Sequence, residues 1–136
     1  MEYIEPLKIL IYNEKAIRGI DTRGFGGFCE CNGVLSQKTW HEISPLKILV
    51  AECENCWETE ALIFSEKKLI ERKKVITIKR KELKEFLLKK LSKSELEAIL
   101  NKVRGLDYNY SSFSRARKKL EKMGIDVREI LKELIF

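Results

Sequence analysis

The sequence predicts an α+β protein made of two modules, and three features of the chain support this prediction. All four cysteines lie within residues 29–56, among short segments that are typical of β-strands. From residue 79 onward the apolar residues recur with the period of an amphipathic helix. The charge also divides, since residues 1–64 carry six Lys or Arg and ten Asp or Glu, a net −4, whereas residues 65–136 carry 21 and 11, a net +10. We therefore expect a β-rich module over residues 1–68 and a basic helical module over residues 69–136.

The cysteines form two close pairs whose spacing is typical of a four-cysteine zinc site. Cys29 and Cys31 form the first pair, and Cys53 and Cys56 form the second, with 21 residues between the pairs. Each pair fits on a tight turn, and two such turns can direct four thiolates at one metal ion. Four cysteine ligands leave no position open for chemistry, so we expect a structural Zn²⁺, one per chain. Another metal or an Fe–S cluster, and free or oxidised thiols, are the less favoured alternatives.

Residues 25–64, which contain both cysteine pairs, resemble a zinc ribbon. The resemblance implies a small antiparallel sheet that is held together by the metal. The expected strands of this sheet are residues 34–42, 46–53 and 58–64. Trp40, Trp57 and Phe64 are expected to form its small apolar core, and a surface aromatic patch for a partner is the alternative.

The segments on either side of the cysteine pairs are expected to be irregular or short. Residues 7–12 and 74–78 are each expected to form a short strand. The glycine-rich residues 23–28 are expected to be a flexible entry to the first cysteine turn, although they also resemble a single copy of an RGG-type RNA-binding sequence. Residues 65–73 are expected to be a charged connector in which the two modules meet.

Four short helices are expected in the second module, because it contains helix-start and helix-stop signals in regular succession. These signals are an apolar face of Leu83, Phe86, Leu87 and Leu91, a capping box of Ser92 and Glu95, a start near Ser111 or Ser112 with a stop at Gly124, and a second capping box of Asp126 and Glu129.

The third of these helices is predicted to have one apolar and one cationic side. At 100° per residue the apolar side would consist of Phe113, Ala116, Leu120 and Met123. The cationic side would consist of Arg115, Lys118, Lys119 and Lys122. Such a stripe can lie against a phosphate backbone, and a solvated lysine face is the alternative interpretation.

Residues 113–125 resemble the recognition helix of helix-turn-helix and winged-helix proteins. The resemblance rests on Ser114-Arg115 near the start of the segment and on Leu120, Gly124 and Ile125 towards its end, and it extends over about residues 75–125. It implies that the leading polar side chains of the helix face DNA. The predicted nucleic-acid-binding residues are Ser112, Ser114, Arg115, Lys118, Lys119 and Lys122.

These features favour a nucleic-acid-binding protein, with DNA favoured over RNA, in transcription or replication. With a single histidine and no nucleophile–base pair in the sequence, we do not expect an enzyme. The alternative is an interaction adaptor that docks a protein partner through the acidic ribbon. Because the sequence has no apolar run of membrane-spanning length and no signal pattern, we expect a cytoplasmic protein with no membrane partner.

Overall fold

The computed structural model describes residues 1–134, and the chain divides into two compact units. The first unit contains residues 1–13 and 17–77, and the second contains residues 14–16 and the chain from Ile78 onward. The predicted module boundary after residue 68 falls at the first residue of an eleven-residue strand, Lys68–Ile78.

The N-terminal unit is a β-barrel, built from eight strands of which seven close on themselves. In chain order the strands are β1 (Glu2–Ile4), β2 (Ile9–Tyr12), β3 (Lys15–Asp21), β4 (Phe25–Phe28), β5 (Val34–Ile43), β6 (Leu46–Cys53), β7 (Thr59–Ser65) and β8 (Lys68–Ile78). Neighbouring strands follow the order β3-β2-β1-β8-β7-β6-β5, and pairing of β3 with β5 closes the ring. Strand β4 lies outside this ring and pairs only with β5.

Strand β5 makes this arrangement possible because it is long enough to hold two partners on one edge. Its first residues pair with β4, from Val34 to Ser36, and its later residues pair with β3, from Thr39 to His41. Its other edge pairs with β6 along its length, with a bulge between Gln37 and Thr39. The barrel is therefore closed by one part of β5, while the other part carries the β4–β5 turn that contains the first cysteine pair.

The zinc-ribbon prediction is wrong for the fold of this unit, which is a barrel. The three predicted ribbon strands are present as β5, β6 and β7, but the sheet does not end with them. Residues 65–73, predicted as a charged connector, belong mostly to β8, which pairs with β7 from Thr59 to Ser65. The glycine-rich segment before the first cysteine pair is not a flexible entry either, since residues 25–28 form β4.

The barrel interior is filled by side chains that alternate along the strands. Ile48 and Val50 of β6 are opposite Ile63 and Ala61 of β7, so all four point to the same face. The buried cluster on this face consists of Tyr3, Leu10, Ile48, Val50, Ala61, Ile63 and Val75. This cluster therefore draws on β1, β2, β6, β7 and β8, five of the seven strands that form the ring.

His41 is fully buried where β3 closes onto β5. Its Nδ1 lies 2.8 Å from the backbone oxygen of Ile17, and its Nε2 lies 2.7 Å from Oγ1 of Thr39. The facing residue is Gly19, and a Cβ there would lie only 2.5 Å from the imidazole ring. Burial lowers the pKa of His41, so the histidine is a neutral, hydrogen-bonded part of the core.

The outer face of β5, β6 and β7 carries a second buried cluster that includes two of the cysteines. Its members are Cys29, Leu35, Leu49, Ala51, Cys53 and Leu62, with Trp40 and Phe64 packed against them. The rings of Trp40 and Phe64 are 5.6 Å apart, as expected for core aromatics. The prediction that Trp57 joins them is wrong, because this side chain is 68% exposed on the second cysteine turn.

The second unit is a four-helix domain, in agreement with the succession of caps in the sequence. The helices are α1 (Leu83–Lys90), α2 (Lys93–Val103), α3 (Tyr110–Met123) and α4 (Val127–Leu134). Both halves of the Ser92–Glu95 capping box are formed at the start of α2, and Gly124 ends α3 with a left-handed backbone (φ 98°). The link between α2 and α3 is residues 104–109, longer than the 3–4-residue turn of a helix-turn-helix.

Leu120→Ala tests whether the apolar side of α3 is the core of this domain. Leu120 is completely buried, so we expect the substitution to reduce the free energy of unfolding by about 2–5 kcal/mol. Lys118→Ala on the exposed side is the control and should change it by no more than about 0.5 kcal/mol. Denaturant unfolding followed by far-UV circular dichroism measures both, and equal stability of the two variants would contradict this packing.

Candidate metal centre and nucleic-acid interface

The four cysteines are brought together by two adjacent hairpin turns of the barrel. Cys29 and Cys31 lie in the β4–β5 turn, Cys53 ends β6, and Cys56 lies in the β6–β7 turn. The turns are neighbours because Leu35 of β5 is paired with Cys53. All four Sγ atoms lie within 4.8 Å of one another, so the predicted clustering is confirmed.

Backbone hydrogen bonds hold each turn in a conformation that directs both of its sulfurs inward. In the first turn the Asn32 amide donates to the Cys29 carbonyl (2.9 Å), and Asn32 has a left-handed backbone, φ 70°. In the second turn the Trp57 amide donates to the Cys53 carbonyl (3.0 Å), and Trp57 is also left-handed, φ 64°. A bulky residue rarely adopts this conformation, so the second turn depends on its neighbours to hold it.

Amide groups surround the sulfurs and stabilise their negative charge. The Gly33 amide donates to Sγ of Cys31 (3.4 Å), and the Asn55 and Cys56 amides donate to Sγ of Cys53 (3.3 and 3.4 Å). The Asn55 side chain also donates to Cys31, at 3.5 Å. Donors of this kind orient thiolate ligands and favour their ionised form.

The same contacts make the thiols unequal. Hydrogen bonds from the Asn55 side chain, then from the Gly33 amide and from Cys53, lower the pKa of Cys31 to about 6. At Cys56 a backbone hydrogen bond with Glu58 acts in the opposite direction, but desolvation and the other three thiols raise its pKa to about 12. A cation among the four sulfurs would favour the ionised form of all four thiols, because it stabilises every thiolate at once.

Gly33 is the residue that allows the two turns to approach. A Cβ at this position would lie 2.6 Å from Sγ of Cys53 and 2.7 Å from Cβ of Asn55. Neither Gly33 nor Asn55 is among the site residues predicted from the sequence. The glycine two residues after Cys31 is nevertheless a usable signal, since close backbone approach to sulfur requires a residue without a side chain.

The distances fit a tetrahedral metal ion. Four thiolates at about 2.3 Å from zinc would be separated by about 3.8 Å from one another. Cys29 and Cys56 have their sulfur atoms 3.6 Å apart, and those of Cys31 and Cys53 are 3.5 Å apart. All four cysteines are free of disulfides. The site can therefore hold one metal ion with four sulfur ligands.

The predicted nucleic-acid residues of α3 divide into two groups. Arg115 and Lys119 form ion pairs with Glu95 of α2, the Lys119 Nζ lying 2.7 Å from a carboxylate oxygen. Ser112 is buried and accepts a hydrogen bond from Arg115 (3.1 Å), so its prediction as a DNA-facing residue is not supported by its position. The sequence predicts Glu95 only as a capping residue, but its carboxylate also reaches α3.

The remaining predicted residues of α3 face solvent. Lys118 and Lys122 are exposed, and no acidic side chain within residues 1–134 forms an ion pair with either. Ser114 is half-buried one turn before Lys118. Within residues 1–134, these three of the six predicted side chains are neither buried nor paired with Glu95.

The net charge of each unit changes when the observed boundary, Thr77, replaces the predicted one. Residues 1–77 carry 11 Lys or Arg and 12 Asp or Glu, a net −1, and residues 78–136 carry 16 and nine, a net +7. Five cations in residues 67–74 belong to β8 and the turn before it. The helical unit remains the more basic of the two.

None of the four helices described in residues 1–134 combines the length and the apolar character that crossing a membrane requires.

The fold and the site together define a class of protein: a small β-barrel with a four-cysteine centre, followed in the same chain by a four-helix domain. The chain belongs to the AF0631-like family. Residues 1–77 match its N-terminal β-barrel domain, and residues 80–133 match its C-terminal four-helix domain. An uncharacterised protein of Archaeoglobus fulgidus is 35% identical over 136 residues, covering 98% of this chain and 99% of the relative. No solved structure matches the chain.

Gly33→Ala tests the metal centre without removing a ligand. Because the added Cβ would collide with Cys53 and Asn55, we expect the variant to release its metal to a chelator at least about tenfold more readily, as for other changes next to metal ligands. Asn32→Gly is the control, because glycine accepts the left-handed backbone and should retain the metal. Equal metal retention by the two variants would contradict the geometry.

Glu95→Gln tests the ion pairs between α2 and α3. Burial raises the pKa of Glu95, but hydrogen bonds from Lys119 and Ser92 outweigh it, and the net pKa is lowered. The carboxylate therefore stabilises the domain above its unfolded pKa of about 4.3, and this stability is lost as the pH falls through the lower folded pKa.

At neutral pH we expect Glu95→Gln to reduce the free energy of unfolding by about 1–3 kcal/mol, a modest value because both cationic partners are half-exposed. It should also remove part of the acid destabilisation below about pH 4. Glu97→Gln, an exposed position on the same helix, should have neither effect. Identical acid unfolding curves for wild type and Glu95→Gln would refute the role of this carboxylate.

Proposed function

We propose that the protein binds nucleic acid through its four-helix domain, while a structural zinc ion stabilises the barrel. The observation that carries the proposal is the excess of cations in the helical unit, a net +7 over residues 78–136. Contacts with phosphate require Lys and Arg. Those Lys and Arg side chains that are not paired with acidic side chains of the same unit are available for such contacts. The role is one of binding, and a catalytic step is not part of it.

The exposed side of α3 is the proposed contact surface. Lys118 and Lys122 are spaced by one helical turn, so both can reach the same phosphate strand. Arg115 and Lys119 lie on the same side and are half-exposed, so they retain donors beyond those used by Glu95. Ser114 adds a hydroxyl near the start of this surface.

The resemblance of residues 113–125 to a recognition helix favours DNA over RNA as the ligand, in a transcription or replication role. A recognition helix presents its first residues to base edges and its flanks to phosphates. In α3 the corresponding first residues are Ser114 and Arg115, and Lys118 and Lys122 would then contact the backbone. The proposed order of importance for affinity is therefore the two lysines first and Arg115 second.

Zinc is the metal proposed for the four-cysteine centre. A closed set of four thiolates is typical of structural zinc, and zinc needs neither a redox partner nor a fifth ligand. Iron in the same ligands would be coloured and redox-active, so an absorbance spectrum separates the two metals. Free thiolates also persist best in a reducing compartment, which favours the cytoplasm.

A second candidate function is docking of a protein partner on the barrel, beside the cysteine centre. Phe28 and Trp57 directly flank Cys29 and Cys56, whose sulfurs are 3.6 Å apart, and both aromatic side chains are more than half exposed. Phe25 packs edge-on against Phe28, with ring centres 5.2 Å apart. Exposed aromatics of this kind are enriched at protein interfaces, which gives the adaptor alternative a definite surface.

Lys118→Glu with Lys122→Glu tests the proposed function. Both side chains are exposed and unpaired within the described chain, so the variant should fold normally. It should bind duplex DNA more weakly, and the slope of log affinity against log salt should decrease by about one for each phosphate that the variant no longer neutralises.

The matched control is Lys67→Glu with Lys68→Glu, which makes the same change of net charge on the barrel, at the last residue of the β7–β8 turn and the first residue of β8. It should leave the salt slope unchanged. Fluorescence anisotropy with labelled duplex DNA and RNA of the same sequence, over a salt series, gives both results. If the α3 variant and the control bind alike at every salt concentration, α3 is a solvated surface and the docking function is the better account.

A further inference from the structure

A second cationic feature of the helical domain lies outside α3. It is a groove of about 370 Å³, the lower end of the range for ligand pockets. Four of the seven residues that line it are cationic: Arg80, Lys81, Lys84 and Arg104. The others are Leu100, Val103 and Leu134, so no acidic side chain among the described residues lines the groove. We call this feature the basic groove.

Separate elements bring these cations together. Arg80 and Lys81 belong to a short 3-10 turn, Arg80–Glu82, that leads directly into α1, and Lys84 is the second residue of that helix. Arg104 follows the last residue of α2, where its amide still donates to the Leu100 carbonyl (3.0 Å). Arg80, Lys81 and Lys84 are thus close in sequence, and the packing of α2 brings Arg104 to them.

The charge in the basic groove is only partly compensated. Arg80 forms an ion pair with Glu133, at 2.7 Å. Glu82 is the neighbour of Lys81, and its carboxylate accepts a hydrogen bond from the Lys79 amide at the start of the turn. Across the described residues 1–134, Lys81, Lys84 and Arg104 have no acidic partner in an ion pair. Within residues 1–134, three cations thus line one small groove without an ion-pair partner.

Two of these cations lie where helix electrostatics disfavour them. The N-terminus of a helix carries a partial positive charge and favours acidic side chains, yet Lys81 and Lys84 lie just before and within the first turn of α1. A local preference that is broken without a compensating contact is expected at a binding site. An anion in the groove would interact favourably with the lysines and with the helix terminus together.

We propose that the basic groove binds a phosphate group. Arg104 supplies a planar guanidinium that can hold two phosphate oxygens, Lys81 and Lys84 supply point charges, and Leu100 and Val103 offer an apolar floor for the group that carries the phosphate. The phosphate is either that of a nucleic-acid backbone, which rests on the proposed function, or that of a free polyphosphate. Both sources share the same recognition chemistry.

The test compares wild-type protein with Lys84→Gln/Arg104→Gln, using inorganic tripolyphosphate in calorimetric titration and labelled duplex DNA in anisotropy. Lys118→Gln/Lys122→Gln on α3 is the matched comparison, because it removes the same number of charges, and far-UV circular dichroism checks that all variants fold. We expect the groove variant to bind tripolyphosphate at least about tenfold more weakly, or to show a salt slope with DNA that is smaller by about one unit per removed cation. The α3 variant should bind tripolyphosphate like wild type. If the double variant does not fold, Lys84→Gln alone replaces it.

The outcomes separate this inference from the proposed function. Groove-dependent binding of tripolyphosphate without DNA binding supports the groove as a site for free polyphosphate and overturns the proposed function. A groove-dependent loss of DNA affinity without tripolyphosphate binding assigns the phosphate to the nucleic-acid backbone. DNA binding that depends on α3 alone, in a protein whose tripolyphosphate binding the groove variant does not weaken, overturns the basic groove, and so does a groove variant that binds both probes like wild type. So does wild-type protein that binds neither probe.

Discussion

The β4–β5 and β6–β7 turns of the barrel depend on one constraint. Their four cysteine sulfur atoms must converge on one point. This convergence requires the pairing of Leu35 with Cys53, and it requires Gly33, because any side chain there would meet Cys53 at 2.6 Å. Cys29 and Cys53 are also members of the buried cluster on the outer face of the sheet. A metal at this point would therefore fix the hairpins and the apolar cluster beneath them at the same time, which is the usual reason for a structural zinc in a small domain.

Closure of the barrel depends on contacts that no short segment of sequence specifies. The strands of the predicted ribbon could be found because their composition and their turns are local signals. Pairing of β3 with β5, and the place of β1 beside β8, join segments far apart in the chain. Gly19 illustrates the difficulty: in the sequence it is an unremarkable glycine, whereas in the barrel it is the residue that makes room for the buried ring of His41.

Charged residues are the most misleading part of the sequence, since their role depends on partners elsewhere. Residues 65–73 have the composition of a linker, yet Arg72 of β8 pairs with the buried Glu60 of β7 at 2.7 Å. The spacing of Glu95 to Ser92 predicts a helix cap, and this is confirmed. Its second role, holding Arg115 and Lys119 of α3, cannot be seen without the packing of α2 on α3. The helix ends, by contrast, are fixed by caps within a few residues and are well predicted.

Ion pairing also distinguishes the two cationic surfaces of the helical domain. On α3 some cations hold the domain together and others face solvent, so only the second group is available to a ligand. In the basic groove most of the cations have no ion-pair partner within residues 1–134. A charge count over the domain is thus only an upper limit on the charge that a nucleic acid can use.

Metal content measured together with the fold tests whether the four cysteines hold a structural metal ion. Elemental analysis of the purified protein should give about one zinc per chain, as four thiolate ligands require. Cys53→Ser should lose the metal and disorder the two cysteine turns, seen as a change in tryptophan fluorescence, to which Trp40 and Trp57 both contribute, while the far-UV signal of the helical domain persists. A protein that contains no metal, with four titratable thiols and unchanged tryptophan fluorescence in Cys53→Ser, would contradict the account.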